Sequence, residues 1–184
     1  MSIVQLSKFL SLILRHKPEQ IGIKLDEHGW ANVDELIAGV QKSDETFDFA
    51  LLNKVVAEND KQRFSFNEDK TKIRANQGHT KKVDVELEEK NPPKILYHGT
   101  LARNADSINS KGLLKMKRLH VHLSGDVETA QKVAARRHGE SIIYKVDAEA
   151  MVHDGHKFFQ SVNGVWLTDH VPAKYLDQEI FHNR

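Results

Sequence analysis

Apolar residues return along the first turns of the chain at helical spacing. Leu6, Phe9, Leu10, Ile13 and Leu14 fall on one stripe, and Pro18, which cannot continue a helix, ends it. Asn32 with Glu35 three residues on forms a capping-box pattern, with Asn in place of the usual Ser or Thr. It opens a second helix carrying Val33, Leu36 and Ile37, and a third carries Leu51, Leu52, Val55 and Val56. Residues 63–66 and 71–75 then alternate as strands around the turn Asn67-Glu68-Asp69-Lys70. Three helices followed by a hairpin predict a winged-helix module over residues 1–80.

The pattern changes over 81–93. This stretch carries Glu86, Glu88, Glu89 and Lys90 and ends in Pro92-Pro93, which reads as a loose or extended linker. From 94 to 184 short strands dominate: 95–98, 119–124, 141–146, 157–161, 165–168 and 178–181. One helix follows the first strand and closes near Gly112. A second runs from Asp126 to about His138, with Gly139 as its stop. The second lobe is therefore α+β, built on small sheets.

Candidate chemistry follows from these placements. On the strand Leu119-His120-Val121-His122-Leu123-Ser124, alternation sends Leu119, Val121 and Leu123 to one face. His120, His122 and Ser124 share the other, a hydrogen-bonding wall suited to a ribose or pyrophosphate. A solvated outer face is the competing reading. A zinc site is a third, weakened because no cysteine and no evident third ligand complete it. In Tyr97-His98-Gly99-Thr100, a strand is expected to end and a helix to open. Gly99 would admit a ligand close to the backbone and Thr100 would cap a helix whose N–H groups attract anions. Ala130, Val133, Ala134 and Arg137 lie at i, i+3, i+4 and i+7, so Arg137 should continue the apolar stripe inward, where it would need an anion unless its stem alone packs. Arg15-His16-Lys17 closes the first helix, where the helix dipole favours cations on its own account. Arg74 follows Ile73 on the hairpin and taken alone reads as an exposed wing residue.

Composition narrows the field. The chain has 184 residues, 27 Lys and Arg against 26 Asp and Glu, eleven His and no Cys. Disulfides, thiolate metal sites and a cysteine nucleophile are excluded. No run of 18 apolar residues exists, so no membrane span is expected. The N-terminus lacks the pattern of a signal peptide, and a cytoplasmic protein is expected. Near neutrality argues against a general nucleic-acid coating protein. Residues 1–80 hold eleven Lys and Arg against twelve Asp and Glu, so no basic DNA-reading face is evident. No G-x-G-x-x-G follows a strand, which leaves a Rossmann site unsupported.

Six stretches taken together resemble the RNA 2′-phosphotransferase (KptA) family, whose eukaryotic members finish tRNA splicing. They are Leu10-Ser11-Leu12-Ile13-Leu14-Arg15-His16, Ile73-Arg74-Ala75-Asn76-Gln77-Gly78-His79, Tyr97-His98-Gly99-Thr100, Leu119-His120-Val121-His122-Leu123-Ser124, Arg137-His138-Gly139 and Asn163-Gly164-Val165-Trp166-Leu167-Thr168. They keep the family's order and span nearly the whole chain. The resemblance implies a winged-helix RNA lobe joined to an ADP-ribosyltransferase-like lobe that binds NAD+ as a consumed substrate, with no metal. It implies a catalytic set of Arg15, His16, Arg74 and Arg137, and NAD+ contacts from His98, Gly99, Thr100, His120 and Ser124, with Asn163 and Gly164 shaping the pocket. The implied reaction moves an internal RNA 2′-phosphate to NAD+ through a 2′-phospho-ADP-ribosylated RNA, giving 2′-hydroxyl RNA, ADP-ribose 1″,2″-cyclic phosphate and nicotinamide. A monomer acting on a tRNA-like RNA is expected. Two alternatives stay open: an ADP-ribosyltransferase acting on RNA ends or protein, for which Glu179 could serve, and an NAD-sensing winged-helix DNA-binding regulator.

Overall fold

The computed structural model describes residues 1–179 and divides them into two compact units, Met1–Glu86 and a second from Leu87 onward. Both mix helix and sheet, so the α+β class stands.

In the first unit, α1 (Ile3–Arg15) opens with a full capping box, Ser2 and Gln5 each bonding the other's backbone N–H. Its buried residues Leu6, Leu10, Ile13 and Leu14 are the predicted stripe. β1 (Ala31–Asn32) leads into α2 (Val33–Gln41), where the Asn32 side chain accepts from Glu35 N–H, one of the two bonds of the expected capping box. The Asp48 side chain caps α3 (Phe49–Ala57) in the same way. β2 (Phe64–Phe66) and β3 (Lys72–Ala75) form the hairpin, and β1 adds to β3, giving the order β1-β3-β2. The core gathers the α1 stripe with Leu36, Phe47, Leu52, Val55, Phe64 and Ile73.

The segment expected as a loose linker is tied down. Lys81 pairs with Glu19, Asp84 N–H donates to Glu27 carbonyl, and Val85 is buried. Further on, β4 (Glu88–Glu89) is already a strand of the second unit.

The second unit holds β5 (Ile95–Leu101), α4 (Ala105–Lys111), β6 (Leu113–Leu114), β7 (Val121–Leu123), α5 (Val127–Ala134) and β8 (Ser141–Asp147). It continues with α6 (Ala148–His153), β9 (Phe159–Gln160), β10 (Trp166–Thr168), β11 (His170–Val171) and β12 (Leu176–Glu179). Three small antiparallel sheets run β12-β8-β5, β4-β9-β10-β7 and β11-β6. Ser124 and Tyr97 exchange both backbone hydrogen bonds, at 2.8 and 2.9 Å, and so tie the end of β7 to β5. Leu96, Tyr144, Met151, Phe158, Leu123 and Trp166 are central to the core.

Two expectations fail here for identifiable reasons. The first strand does not end at His98. It runs to Leu101, so Gly99 and Thr100 lie within it, and α4 starts five residues beyond Thr100, which caps nothing. Pairing along the full length of β8 outweighs the turn-like Gly-Thr. The helix after Asp126 stops at Ala134, not near His138. Its apolar face is exhausted at Ala130, Val133 and Ala134, and residues 135–140 are exposed. The last strand call, 178–181, is seen as Leu176–Glu179, with 180–184 outside the described residues. Among the described residues no helix is long and apolar enough to cross a membrane.

Candidate functional site

Three of the four expected catalytic residues meet within the first unit. Arg15 is the last residue of α1 and His16 its C-cap. After β3, Asn76 is clamped: its N–H donates to Arg63 carbonyl, its Nδ2 to Gln62 carbonyl, and its Oδ1 accepts from Ser65. The chain therefore turns back instead of trailing into solvent. Gly78, at φ +88°, lies under Arg15; a Cβ there would sit 3.5 Å from Cδ, Nε and Cζ of that arginine. Thr80 N–H then donates to Arg15 carbonyl at 3.0 Å, and Thr80 Oγ1 lies 3.1 Å from His16 Nδ1.

Arg74 is not an exposed wing residue. Its side chain is 12 % exposed, with Nη1 3.1 Å from Glu86 Oε2 and 3.3 Å from His28 carbonyl. Its guanidinium carbon lies 4.3 Å from the centroid of Trp30. The turn that supplies these partners is built locally: Asp26 Oδ1 accepts from His28 and Trp30 N–H, and Gly29 takes φ +80° between them. β-Strand alternation correctly set Arg74 opposite Ile73, but that face is covered by residues 28–30 and 86.

His79 lies among these groups and is 1 % exposed. Its Nε2 has no hydrogen-bond partner, and it lies 3.3 Å from where a Gly29 Cβ would be. Burial, then the charges of Arg15, His16 and Arg74, lower its pKa to about 4, so the ring is neutral at pH 7. A neutral imidazole surrounded by cationic side chains separates them without neutralising them. Gln77 Oε1 and Arg74 Nε are further buried polar atoms without a partner. Such groups are costly to leave unmade, and an anion carrying several acceptor oxygens can take up the donors among them.

In the second unit the strand expected over 119–124 is shorter, Val121–Leu123, because residues 119 and 120 lie in a bend before it. Val121 and Leu123 are buried as expected, Leu119 is only half-buried, and His120, His122 and Ser124 are half-buried. His98 Nδ1 lies 3.0 Å from His122 carbonyl, so the ring's proton is on Nδ1. Burial lowers the pKa of His98, with Arg118 adding to the effect against the hydrogen bond to His122. Burial and Lys115 also lower that of His120, against Asp169, and the His120 ring lies 6.0 Å from Phe159. Thr100 Oγ1 accepts from Asn104 at 2.9 Å. Asn163 and Gly164 form the β9–β10 turn, where Gly164 takes φ +82° and donates its N–H to Ser161 carbonyl. At Gly99 a Cβ would lie 1.9 Å from Ala130 carbonyl oxygen, so the glycine lets α5 pack directly against β5. Arg137 is exposed beyond the end of α5 and does not point inward on it. Glu179 is ion-paired with Lys145. Among the described residues no group of three or more His, Cys, Asp or Glu gathers as a metal site.

Residues missed from the sequence include His79, Trp30 and Arg118. His79 stood in a quoted motif, yet nothing local announced its burial, because β3 ends four residues earlier. Arg118 lies in the bend before β7, where strand alternation does not fix side-chain direction, so periodicity carried no signal for it.

A family model described as RNA 2′-phosphotransferase, Tpt1 / KptA family, matches residues 1–170. Similar proteins named "Probable RNA 2′-phosphotransferase" occur in several bacteria. One from Fusobacterium nucleatum is 56% identical over 173 residues, covering 94% of this chain and 97% of the relative. One from Flavobacterium johnsoniae is 56% identical over 172 residues, 94% of each chain, and one from Escherichia coli K12 is 51% identical over 172 residues, 93% of each. With the arginine–histidine cluster in place and these matches running across both units, the chain belongs to the RNA 2′-phosphotransferase family, Tpt1 / KptA.

Proposed function

We propose that this protein transfers an internal RNA 2′-phosphate to NAD+, with Arg15, His16, Arg74 and Arg137 acting on the phosphate. The observation that carries the reading is the cluster of Arg15, His16 and Arg74 around the neutral, buried His79. Two guanidiniums and an imidazole spaced by an uncharged ring favour a compact dianion over a neutral nucleophile.

The chemistry suits these residue types. A phosphate oxygen bonds to C1″ of the nicotinamide ribose as the C1″–N bond breaks and nicotinamide leaves with the bonding pair. The RNA is then joined to ADP-ribose through its 2′-phosphate. Next the ribose 2″-oxygen bonds to phosphorus, the bond from phosphorus to the RNA 2′-oxygen breaks, and the proton lost from the 2″-hydroxyl is matched by one gained at the RNA 2′-oxygen. The products are 2′-hydroxyl RNA and ADP-ribose 1″,2″-cyclic phosphate. The first nucleophile is already an anion, so the arginines orient it and stabilise charge, and no strong base is required. His16 is the group in the cluster suited to move a proton in the second step.

His98, Gly99, Thr100, His120, Ser124, Asn163 and Gly164 are proposed for NAD+, which is consumed as a substrate. His98 and His120, held neutral, and Ser124 offer hydrogen bonds without charge. Gly99 serves there by letting α5 pack against β5. The three helices and β2–β3 hairpin support a winged-helix reading of the first unit, and the small sheets support an ADP-ribosyltransferase-like second unit. The protein-modifying alternative loses ground because its candidate glutamate, Glu179, is bound to Lys145.

The test incubates the protein with an oligonucleotide bearing one internal 2′-phosphate, with and without NAD+, and reads masses of RNA and small products. Loss of phosphate from RNA only with NAD+, alongside the cyclic phosphate and nicotinamide, is expected. Intact 2′-phosphate after prolonged incubation with NAD+ would overturn the proposal.

A further inference from the structure

The guanidinium of Arg74 is fixed at one nitrogen. Nη1 donates to Glu86 Oε2 at 3.1 Å and to His28 carbonyl at 3.3 Å, which commits both of its hydrogens. The guanidinium also rests on Trp30, its carbon 4.3 Å from the ring centroid. Nε, by contrast, is buried and has no hydrogen-bond partner. A guanidinium grips an oxyanion through two parallel N–H bonds, either end-on from Nη1 and Nη2 or side-on from Nε and Nη2. With Nη1 committed, the side-on pair is the one left for an anion.

Glu86 is itself held by its surroundings. Its N–H donates to Asp84 Oδ1 at 2.9 Å, and it takes φ +56°, a left-handed conformation uncommon for a residue with a side chain. The segment that carries it is tied to the turn that carries His28 and Trp30. Asp84 N–H donates to Glu27 carbonyl at 2.7 Å, and His28 Nδ1 lies 2.8 Å from Asp84 carbonyl. Carboxylate, carbonyl and indole thus reach Arg74 from two segments locked to each other. A carboxylate repels phosphate, so its place beside this arginine has a cost that orientation must offset. It touches Nη1, which is outside the side-on pair, so carboxylate and phosphate would use different edges of the guanidinium.

We propose that Glu86 is a positioning residue for Arg74: by holding Nη1 with the guanidinium on the Trp30 face, it turns the Nε–Nη2 edge to the RNA 2′-phosphate. This rests on the phosphate reading of the cluster given above. A carboxylate that competed with phosphate for the guanidinium would act in the opposite direction, and the experiment separates the two.

The test measures Kd without NAD+ for an oligonucleotide bearing one internal 2′-phosphate and for the same oligonucleotide with a 2′-hydroxyl there. The proteins are wild type, Glu86→Ala, Glu86→Gln, Arg74→Ala and the double variant. The ratio of the two Kd values isolates the grip on phosphate, and binding of the 2′-hydroxyl form reports that each variant is folded. Glu86→Ala should lower the preference for the phosphorylated oligonucleotide about fivefold, the upper range for an ion pair half-exposed on its carboxylate side, with 2′-hydroxyl binding kept within about twofold. Glu86→Gln, whose amide oxygen can still accept from Nη1, should recover most of that loss. Added to Arg74→Ala, Glu86→Ala should cause no further loss, since it acts through the arginine. An unchanged or greater preference in Glu86→Ala, an equal loss for the 2′-hydroxyl form, no recovery by Glu86→Gln, or a loss that persists without Arg74 overturns the assignment. A wild-type protein that binds both oligonucleotides equally would instead overturn the underlying phosphate reading.

Discussion

Replacing Gly99 with Ala asks whether that glycine exists for a ligand or for a helix. The added methyl would lie 1.9 Å from Ala130 carbonyl oxygen, 2.8 Å from its carbonyl carbon and 3.1 Å from Ala134 Cβ. Comfortable separation of such atoms is about 3.5 Å, so α5 would have to retreat by on the order of 1–2 Å. The obstruction is backbone, not the tip of a flexible side chain, and Gly99 sits mid-strand with β8 paired beside it. Overpacking of a close-packed interior costs about 1–3 kcal/mol, and this geometry belongs at the upper end, about 3 kcal/mol. Urea unfolding of Gly99→Ala without NAD+ should show that loss, and the melting temperature should fall by on the order of 10 °C. If Gly99 served only to admit a ligand, the variant without ligand would match wild type and only KM for NAD+ would rise. An unfolding free energy within about 0.5 kcal/mol of wild type would refute the packing argument.

Acidification should weaken the fold through His79. Its folded pKa is about 4 against the ordinary histidine value of 6.5, so the unfolded chain takes up the proton first. Stability from the neutral ring is intact above 6.5, erodes as pH falls, and is fully lost below 4, a decline of about 2 kcal/mol between pH 7 and 5. His79→Leu should lack that decline, which chemical denaturation at the two pH values would reveal; identical slopes would contradict it. Arg137→Ala should leave stability within about 0.5 kcal/mol, because the residue is exposed, while turnover drops on the order of 10²-fold or more. Arg74→Ala should lose turnover too, but also roughly 1–2 kcal/mol of stability as the Trp30 stack and the Glu86 ion pair vanish, so its melting curve should shift where that of Arg137→Ala does not. Treatment with EDTA should leave turnover unchanged; strong inhibition reversed by one metal ion would revive the His-x-His zinc site.

Periodicity was sufficient for what short-range physics decides. The α1 stripe buries Leu6, Leu10, Ile13 and Leu14, Asn32 caps α2, and Val121 and Leu123 face inward on β7, because side-chain direction follows from helix and strand geometry alone. Glycine at 99 and arginine at 74 and 137 were visible as residues, but their surroundings were not. Gly99 is fixed by a helix that arrives thirty residues later in the chain, and Arg74 by a turn more than forty residues earlier. For Arg137 the helical count misled, since α5 ends once its apolar face is spent.

The primary structure by itself determined the secondary elements, the caps and the chemical inventory, above all the arginines and histidines with no cysteine to compete. Only tertiary packing decided which of these groups share a surrounding. Burial of His79 among cations and the ion pair of Arg74 with Glu86 depend on chain segments brought together by closing the core. Charge and proton affinity respond to distance in space, and a linear spacing carries that distance only within a single helix or strand.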